Sequence, residues 1–348
     1  MEIYVFIIFC YIIKFNSYLV SINNYKQDVN ILSKLFIIGN GFDLAHGIPS
    51  TFNHFKEYLR VTYSYDYNHN MPNLWLESIT GPDGDEIYNI DNCAQIIDFM
   101  ICNASENLKR GHGENWNEFE KVMGEFDYRL IEYDITTQYD KEGDENIFIT
   151  SNNYEDAYND LENVMSNLPG LFAEWINKIP IPENCFSVSN LETYYSFSEL
   201  IDADEDIFFT FNYTDTLESL YNAENVTHIH GTQDSDIIVG HSKYRNFEEL
   251  AYNQDIQMRL IHNAFEKPTT RIIEENSDFF EGLEGEVDSI YSYGFSFEEV
   301  DIVYIKEIMN NIDTSDVTWY LHSYQQKEHE KFKKTIRECG FLGIFSEF

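Results

Sequence analysis

Apolar and polar positions alternate between two rhythms along this chain, and the rhythms divide it. Leu35-Phe36-Ile37-Ile38 is an unbroken apolar run, short enough for one buried strand. Residues 53–60 are amphipathic. Helical spacing follows over 92–108 (Ile96, Ile97, Met100, Ile101) and over 115–130, where Trp116, Phe119, Val122, Met123 and Phe126 share a face. Residues 63–73 are aromatic and polar without a period, and 133–153 read as a polar loop around Gly143. A long helix is expected over 154–179, closed by Pro180 and Pro182. After residue 200 the period changes. Strands are predicted at 207–211, 226–230, 237–240, 287–293 and 317–322. Between and after them come a short helix at 216–221, a helical section at 247–275 and helices at 297–310 and 325–339.

Strands alternating with helices predict an α/β fold: a Rossmann-like, mainly parallel sheet with helices on both faces. The expected division is a Rossmann-like domain formed by 34–53 and 201–348, interrupted by a mostly helical insertion over 54–200. Residues 1–33 would be an N-terminal apolar extension and linker. Within it, 3–13 is apolar but about 11 residues long, where a spanning helix needs roughly 20. No basic residue precedes it as in a signal peptide. A dispensable extension is the preferred reading, with an edge strand or a weak membrane anchor as alternatives.

Charge narrows the partners. With 61 acidic and 22 basic residues among 348, the formal charge is −39. General nucleic-acid binding relies on Lys and Arg against phosphates and is not expected, nor is docking on anionic lipid. Five cysteines, none in a C-x-x-C pair, fit neither a zinc ribbon nor a disulfide framework, so a cytoplasmic setting is expected.

Candidate chemistry gathers where predicted strands end. Gly39-Asn40-Gly41 follows the first strand and precedes a helix, the order that a nucleotide phosphate site requires. The spacing is not G-x-G-x-x-G, since position 44 is Leu44. Asp43 reads most simply as a cap of the next turn. Its carboxylate about 4 Å from a phosphate would be repelled by about 4 kcal/mol at an effective dielectric of ~20. A bound dinucleotide should therefore meet Asp43 through a ribose hydroxyl or the loop amides. Further strand-end motifs are Asn212-Tyr213, His230-Gly231, Gly240-His241-Ser242 and Gly294-Phe295-Ser296. If the strands are parallel neighbours, all meet on one rim. His230 is the candidate acid/base group or a hydrogen-bonded core histidine. Asn212 is the candidate for orienting water or a sugar hydroxyl, or a turn-former. Glu120 reads as a solvated helix face. His228 and His230 would share a strand face, but without an evident third ligand no metal is expected. Gly-x-Ser-x-Gly, a phosphate-loop lysine motif and His-Glu-x-x-His are all missing from the sequence.

Taken in order, these residues resemble the bacterial AbiH proteins of phage abortive infection. The set is Gly39 through Pro49 (GNGFDLAHGIP), Trp116 with Glu120, Phe211-Asn212-Tyr213-Thr214, His228-Ile229-His230-Gly231, Gly240-His241, and Gly294-Phe295-Ser296 with Asp301. The likeness runs from about residue 34 to 341. A more distant similarity is to sirtuin-like proteins, through Gly39, Gly41, Gly47, Ile48, Pro49, Asn212-Tyr213 and His230-Gly231. Asn40, Asp43 and Thr214 depart from that pattern, and the sirtuin zinc cysteines are missing. The resemblance implies NAD or a related nucleotide as ligand or substrate, with hydrolysis at the nicotinamide–ribose bond. Asn212 and His230 would be catalytic, and Gly39, Asn40, Gly41, Phe42, Asp43, Gly47, Tyr213, Gly294 and Ser296 would bind the nucleotide. It also implies a phage-encoded trigger and leaves a homo-oligomer open. Two alternatives stand beside it: a non-catalytic nucleotide- or phage-protein-binding module, and a different nucleotide-directed hydrolase acting through Asp43 or Glu120.

Overall fold

The computed structural model describes residues 33–65, 72, 78–84, 86–107 and 116–348. The apolar run 3–13 and nearly all of the linker after it lie outside the described residues, as does most of the 63–73 stretch. Strand β1 (Ser33–Ile38) turns into the short helix α1 (Asn40–Ala45), followed by α2 (Phe52–Thr62). A small hairpin, β2 (Ser78–Thr80) with β3 (Glu86–Tyr88), precedes five helices. These are α3 (Ile90–Asn107), α4 (Trp116–Met123), α5 (Ile147–Met165), α6 (Leu168–Ile176) and α7 (Leu191–Leu200). Then come β4 (Ile207–Thr210), α8 (Thr216–Tyr221), β5 (Val226–His228), α9 (Gln254–Ala264), α10 (Thr269–Glu275) and α11 (Ser277–Glu281). The chain closes with β6 (Val287–Tyr293), α12 (Ile302–Asn311), β7 (Thr318–Leu321), α13 (His329–Glu338) and β8 (Ile344–Glu347).

The main sheet has the order β5-β4-β1-β6-β7-β8, and every pairing in it is parallel. Successive residues of β1 feed opposite faces. Leu35 and Ile37 join a core with Ile290, Tyr304, Ile305, Trp319 and Ile336, while Phe36 and Ile38 join one with Phe42, Phe197, Phe208 and Leu220. Both faces are covered, so the strand is apolar at every position rather than at alternate ones. A third core lies within the helical layer, where Phe52, Phe55, Phe119, Phe172 and Trp175 pack together. Tyr213, Met258, Ile261 and Phe265 from later in the chain join it. The order matches the doubly wound arrangement, with β1 central and the strand order reversing beside it.

Several elements depart from expectation. The helix predicted over 154–179 is two helices, α5 and α6, because Pro169 takes the first turn of α6 and cannot continue the preceding ladder. The strand predicted over 237–240 is irregular backbone, in which Ile238 donates its amide to His230 O at 2.9 Å and doubles back on β5. Strand β8 carried no signal, since its residues are largely exposed at the sheet edge and need no apolar run. Among the described residues no helix is long and apolar enough to cross a membrane.

The turn after β1 explains its glycines. Gly41 donates its amide to Gly294 O at 3.0 Å, and Gly39 donates to Tyr293 O at 3.0 Å. A Cβ on Gly41 would sit 2.6 Å from Gly294 Cα, and one on Gly294 would sit 2.3 Å from the Phe42 nitrogen. Gly294 also has φ +66°, where L side chains are disfavoured. The Gly294→Ala variant is therefore expected to lose about 3 kcal/mol or more of folding stability, from overlap and positive φ together. Urea unfolding of the purified chain measures it, and a loss under about 1 kcal/mol would contradict the packing.

Candidate functional site

Five strand ends converge on one cavity of about 1070 Å³. Its walls include Gly39, Asn40 and Gly41 after β1, Asn212 and Tyr213 after β4, and His230 after β5. Gly294, Ser296 and Asp301 follow β6, and His322 follows β7. Thr51 and His54 enter from α2, Glu120 from α4, and Asn190 with Thr193 from the start of α7. The cavity lies outside the carboxyl ends of the strands at the place where their order reverses, the usual ligand crevice of an open α/β sheet.

The residues nominated from sequence separate into two groups. Gly39, Asn40, Gly41, Asn212, Tyr213, His230, Gly294 and Ser296 line the cavity. Phe42, Asp43 and Gly47 do not. Phe42 is core, edge-on to Phe197 and Tyr293. Gly47 packs against Ser189 in a positive-φ turn. Asp43 is buried and does not cap α1, whose N-cap is Gly39. Thr214 Oγ1 donates to Asp43 Oδ2 at 2.6 Å and Thr216 Oγ1 to Oδ1 at 3.0 Å, so Asp43 ties α1 to the loop between β4 and α8. Gly240-His241-Ser242 also leaves the rim. His241 is buried and stacks on His262 with ring centroids 4.1 Å apart, because the segment holding it is no strand.

Hydrogen bonds position the lining groups. Asn212 Nδ2 donates to Gly39 O at 3.2 Å, which locks the β4 loop to the glycine turn. Ser50 Oγ donates to Asn40 Oδ1 at 2.6 Å, while Asn40 Nδ2 is enclosed with no hydrogen-bond partner among the described residues. Tyr213 OH donates to Ile238 O at 3.0 Å. The amides of Gly39, Gly41 and Phe42 are engaged within the protein.

The floor carries the charge. Lys267, whose side chain is 0% exposed, pairs closely with Glu120 and lies 3.6 Å from Asp301 Oδ1. Its ammonium donates to His230 Nε2 at 3.4 Å. Phe211 and Tyr304 flank the imidazole edge-on. Burial works against the Lys267 charge, but Glu120 and Asp301 outweigh it and hold the ammonium above its ordinary value. Burial, with Lys267 beside it, keeps His230 well below the usual histidine range. Glu120 is pushed up to about 7 by burial against the pull of Lys267. Glu120 is thus no solvated face: it is a buried carboxylate held against an ammonium, with burial raising its carboxyl above the ordinary range. Lys267 was not nominated from sequence. The only signal was Pro268 behind it, which biases position 267 away from a helix and undercuts the helical section predicted there.

Asp43 gives a pH test. Burial raises its carboxyl from 3.8 to about 6, against the hydrogen bonds from Thr214 and Thr216. A folded-state value above the unfolded one means a contribution that is fully present below pH ~4 and lost as pH rises through ~6. The stability of the wild type minus that of Asp43→Asn should fall by roughly 3 kcal/mol across that window. Urea unfolding at pH 4 and pH 7.5 checks it; a constant or rising difference would contradict the assignment.

Comparison with known proteins bears on identity. Neither the curated proteins nor the solved structures yielded a match, and the sirtuin-like similarity finds no counterpart. A family model described as "Bacteriophage abortive infection AbiH" matches residues 35–323. That span runs from β1 through β7 and takes in the floor of the cavity and all of its lining but Tyr324 and Gln325, so the chain belongs to the bacteriophage abortive infection AbiH family.

Proposed function

We propose that this AbiH protein is an anti-phage effector whose cavity binds NAD and hydrolyses it at the nicotinamide–ribose bond. The observation that carries the reading is the meeting of the glycine turn, Asn212 and a buried Glu120–Lys267–Asp301–His230 group at the switch point of a doubly wound sheet. In this reaction the C1′–N bond breaks and its electron pair leaves with neutral nicotinamide. The ribosyl centre becomes cationic. Two carboxylates set against one ammonium favour that developing charge. A water then bonds to C1′ and gives up its proton. The resemblance implies His230 as the base; Lys267 engages both its Nε2 and Glu120, and of the two burial makes Glu120 the more ready to accept a proton and His230 the less. Glu120, which lines the cavity, takes the proton instead; Asn212 orients the water or the ribose, and His230 and Lys267 position Glu120.

One observation favours a second reading, binding without turnover: the Glu120 carboxylate that would take the proton is already paired with Lys267. Incubation with NAD separates the two. Nicotinamide release should fall at least about 100-fold in Glu120→Gln and in Asn212→Ala. Saturable NAD binding without release would favour the binding module. Release undiminished in both variants would discard the site. Phage plating on cells carrying wild type or Glu120→Gln extends the test to defence, where the variant should lose protection.

A further inference from the structure

Just outside the cavity, the β4–α8–β5 unit gathers a histidine and two carboxylates that the proposed chemistry does not use. Asp215 is the N-cap of α8, Glu218 lies in its first turn, and His228 ends β5. One ligand atom from each lies within 4.8 Å of the other two. We propose that Asp215, Glu218 and His228 form a site for a divalent first-row transition cation, Zn²⁺ or Mn²⁺.

Three features support it. First, His228 Nδ1 donates to Asn212 O at 2.9 Å, which fixes the tautomer and aims Nε2 at the carboxylates. A backbone carbonyl on the far ring nitrogen is the usual outer support of a metal-bound histidine. Second, Nε2 lies 2.8 Å from Glu218 Oε1. A neutral imidazole nitrogen and a carboxylate oxygen are both acceptors, so a positive centre belongs between them, either a proton or a metal. Third, Glu218 Oε2 is enclosed without a hydrogen-bond partner among the described residues, and a bound cation would satisfy it. The His228 side chain is 7% exposed and that of Glu218 38%, so the histidine is anchored while solvent reaches the carboxylate side. One imidazole nitrogen with two carboxylate oxygens suits Zn²⁺ or Mn²⁺ better than the all-oxygen, heavily hydrated sphere of Mg²⁺. Two carboxylates and a dication also sum to neutrality.

The sequence pattern hid this set because it pairs His228 with His230. In the fold His230 faces Lys267, and the partners of His228 come from the preceding helix. A bound cation would clamp α8 to β5 and, through His228, hold the carbonyl of Asn212.

The test uses the full chain stripped with chelator and titrated calorimetrically with ZnCl₂ or MnCl₂ alone, so it does not depend on NAD. One equivalent should bind with a Kd in roughly the micromolar range. His228→Gln and Glu218→Gln should each weaken binding at least about 10-fold. Melting curves without metal establish that the variants fold. Two results overturn the site: no saturable binding up to about 100 µM of either metal, which leaves a protonated ion pair only, or undiminished binding in the folded His228→Gln/Glu218→Gln double variant.

Discussion

Two stretches of backbone touch at the centre of this molecule without a side chain between them. The turn after β1 and the turn after β6 exchange the Gly41 amide and the Gly294 carbonyl at 3.0 Å, at a separation that any Cβ would prevent. The cavity is hung from that contact. It sets the gap between the two strands at which the sheet order reverses, and the cavity opens there. Asn212 then reads the position of the glycine turn through Gly39 O, and Asp43 repeats the tie one layer deeper through Thr214 and Thr216. The glycines are needed first for backbone approach, and only through it for a ligand site.

The second constraint is electrostatic. A lysine ammonium fully removed from water loses several kcal/mol of solvation unless carboxylates and hydrogen bonds replace the solvent. Lys267 finds Glu120, Asp301 and His230. Such a group contributes little net stability, since burying its charges offsets much of their attraction. Beneath the cavity, burial raises the Glu120 carboxyl against the pull of Lys267 and, with Lys267, keeps the His230 imidazole uncharged.

Much of this was legible along the chain. The parallel α/β sheet could be read because β1 is covered on both faces and carries its apolar residues in a run, and because β6 ends at Gly294 where the period breaks. The meeting of Asn212, His230 and the glycine turn followed from one topological rule about strand ends. What could not be read depends on long-range partners. Glu120 has the local pattern of an exposed helix position, and only the docking of α4 against the segment bearing Lys267 buries it. Asp43 sits in a helix start and looks like a cap, yet its partners lie 171 and 173 residues away. Irregular backbone at 237–240 imitated a strand because Ile237 and Val239 pack beside the helical core, not in a ladder.

The floor of the cavity draws Glu120 from α4, Lys267 from the segment after α9, and Asp301 from the end of the β6 loop. No single stretch of chain owns it. A fragment keeping the six parallel strands but lacking the helical layer would leave a buried ammonium with half of its counter-charge. The cavity floor and the helical layer are thus tied by one shared set of buried charges.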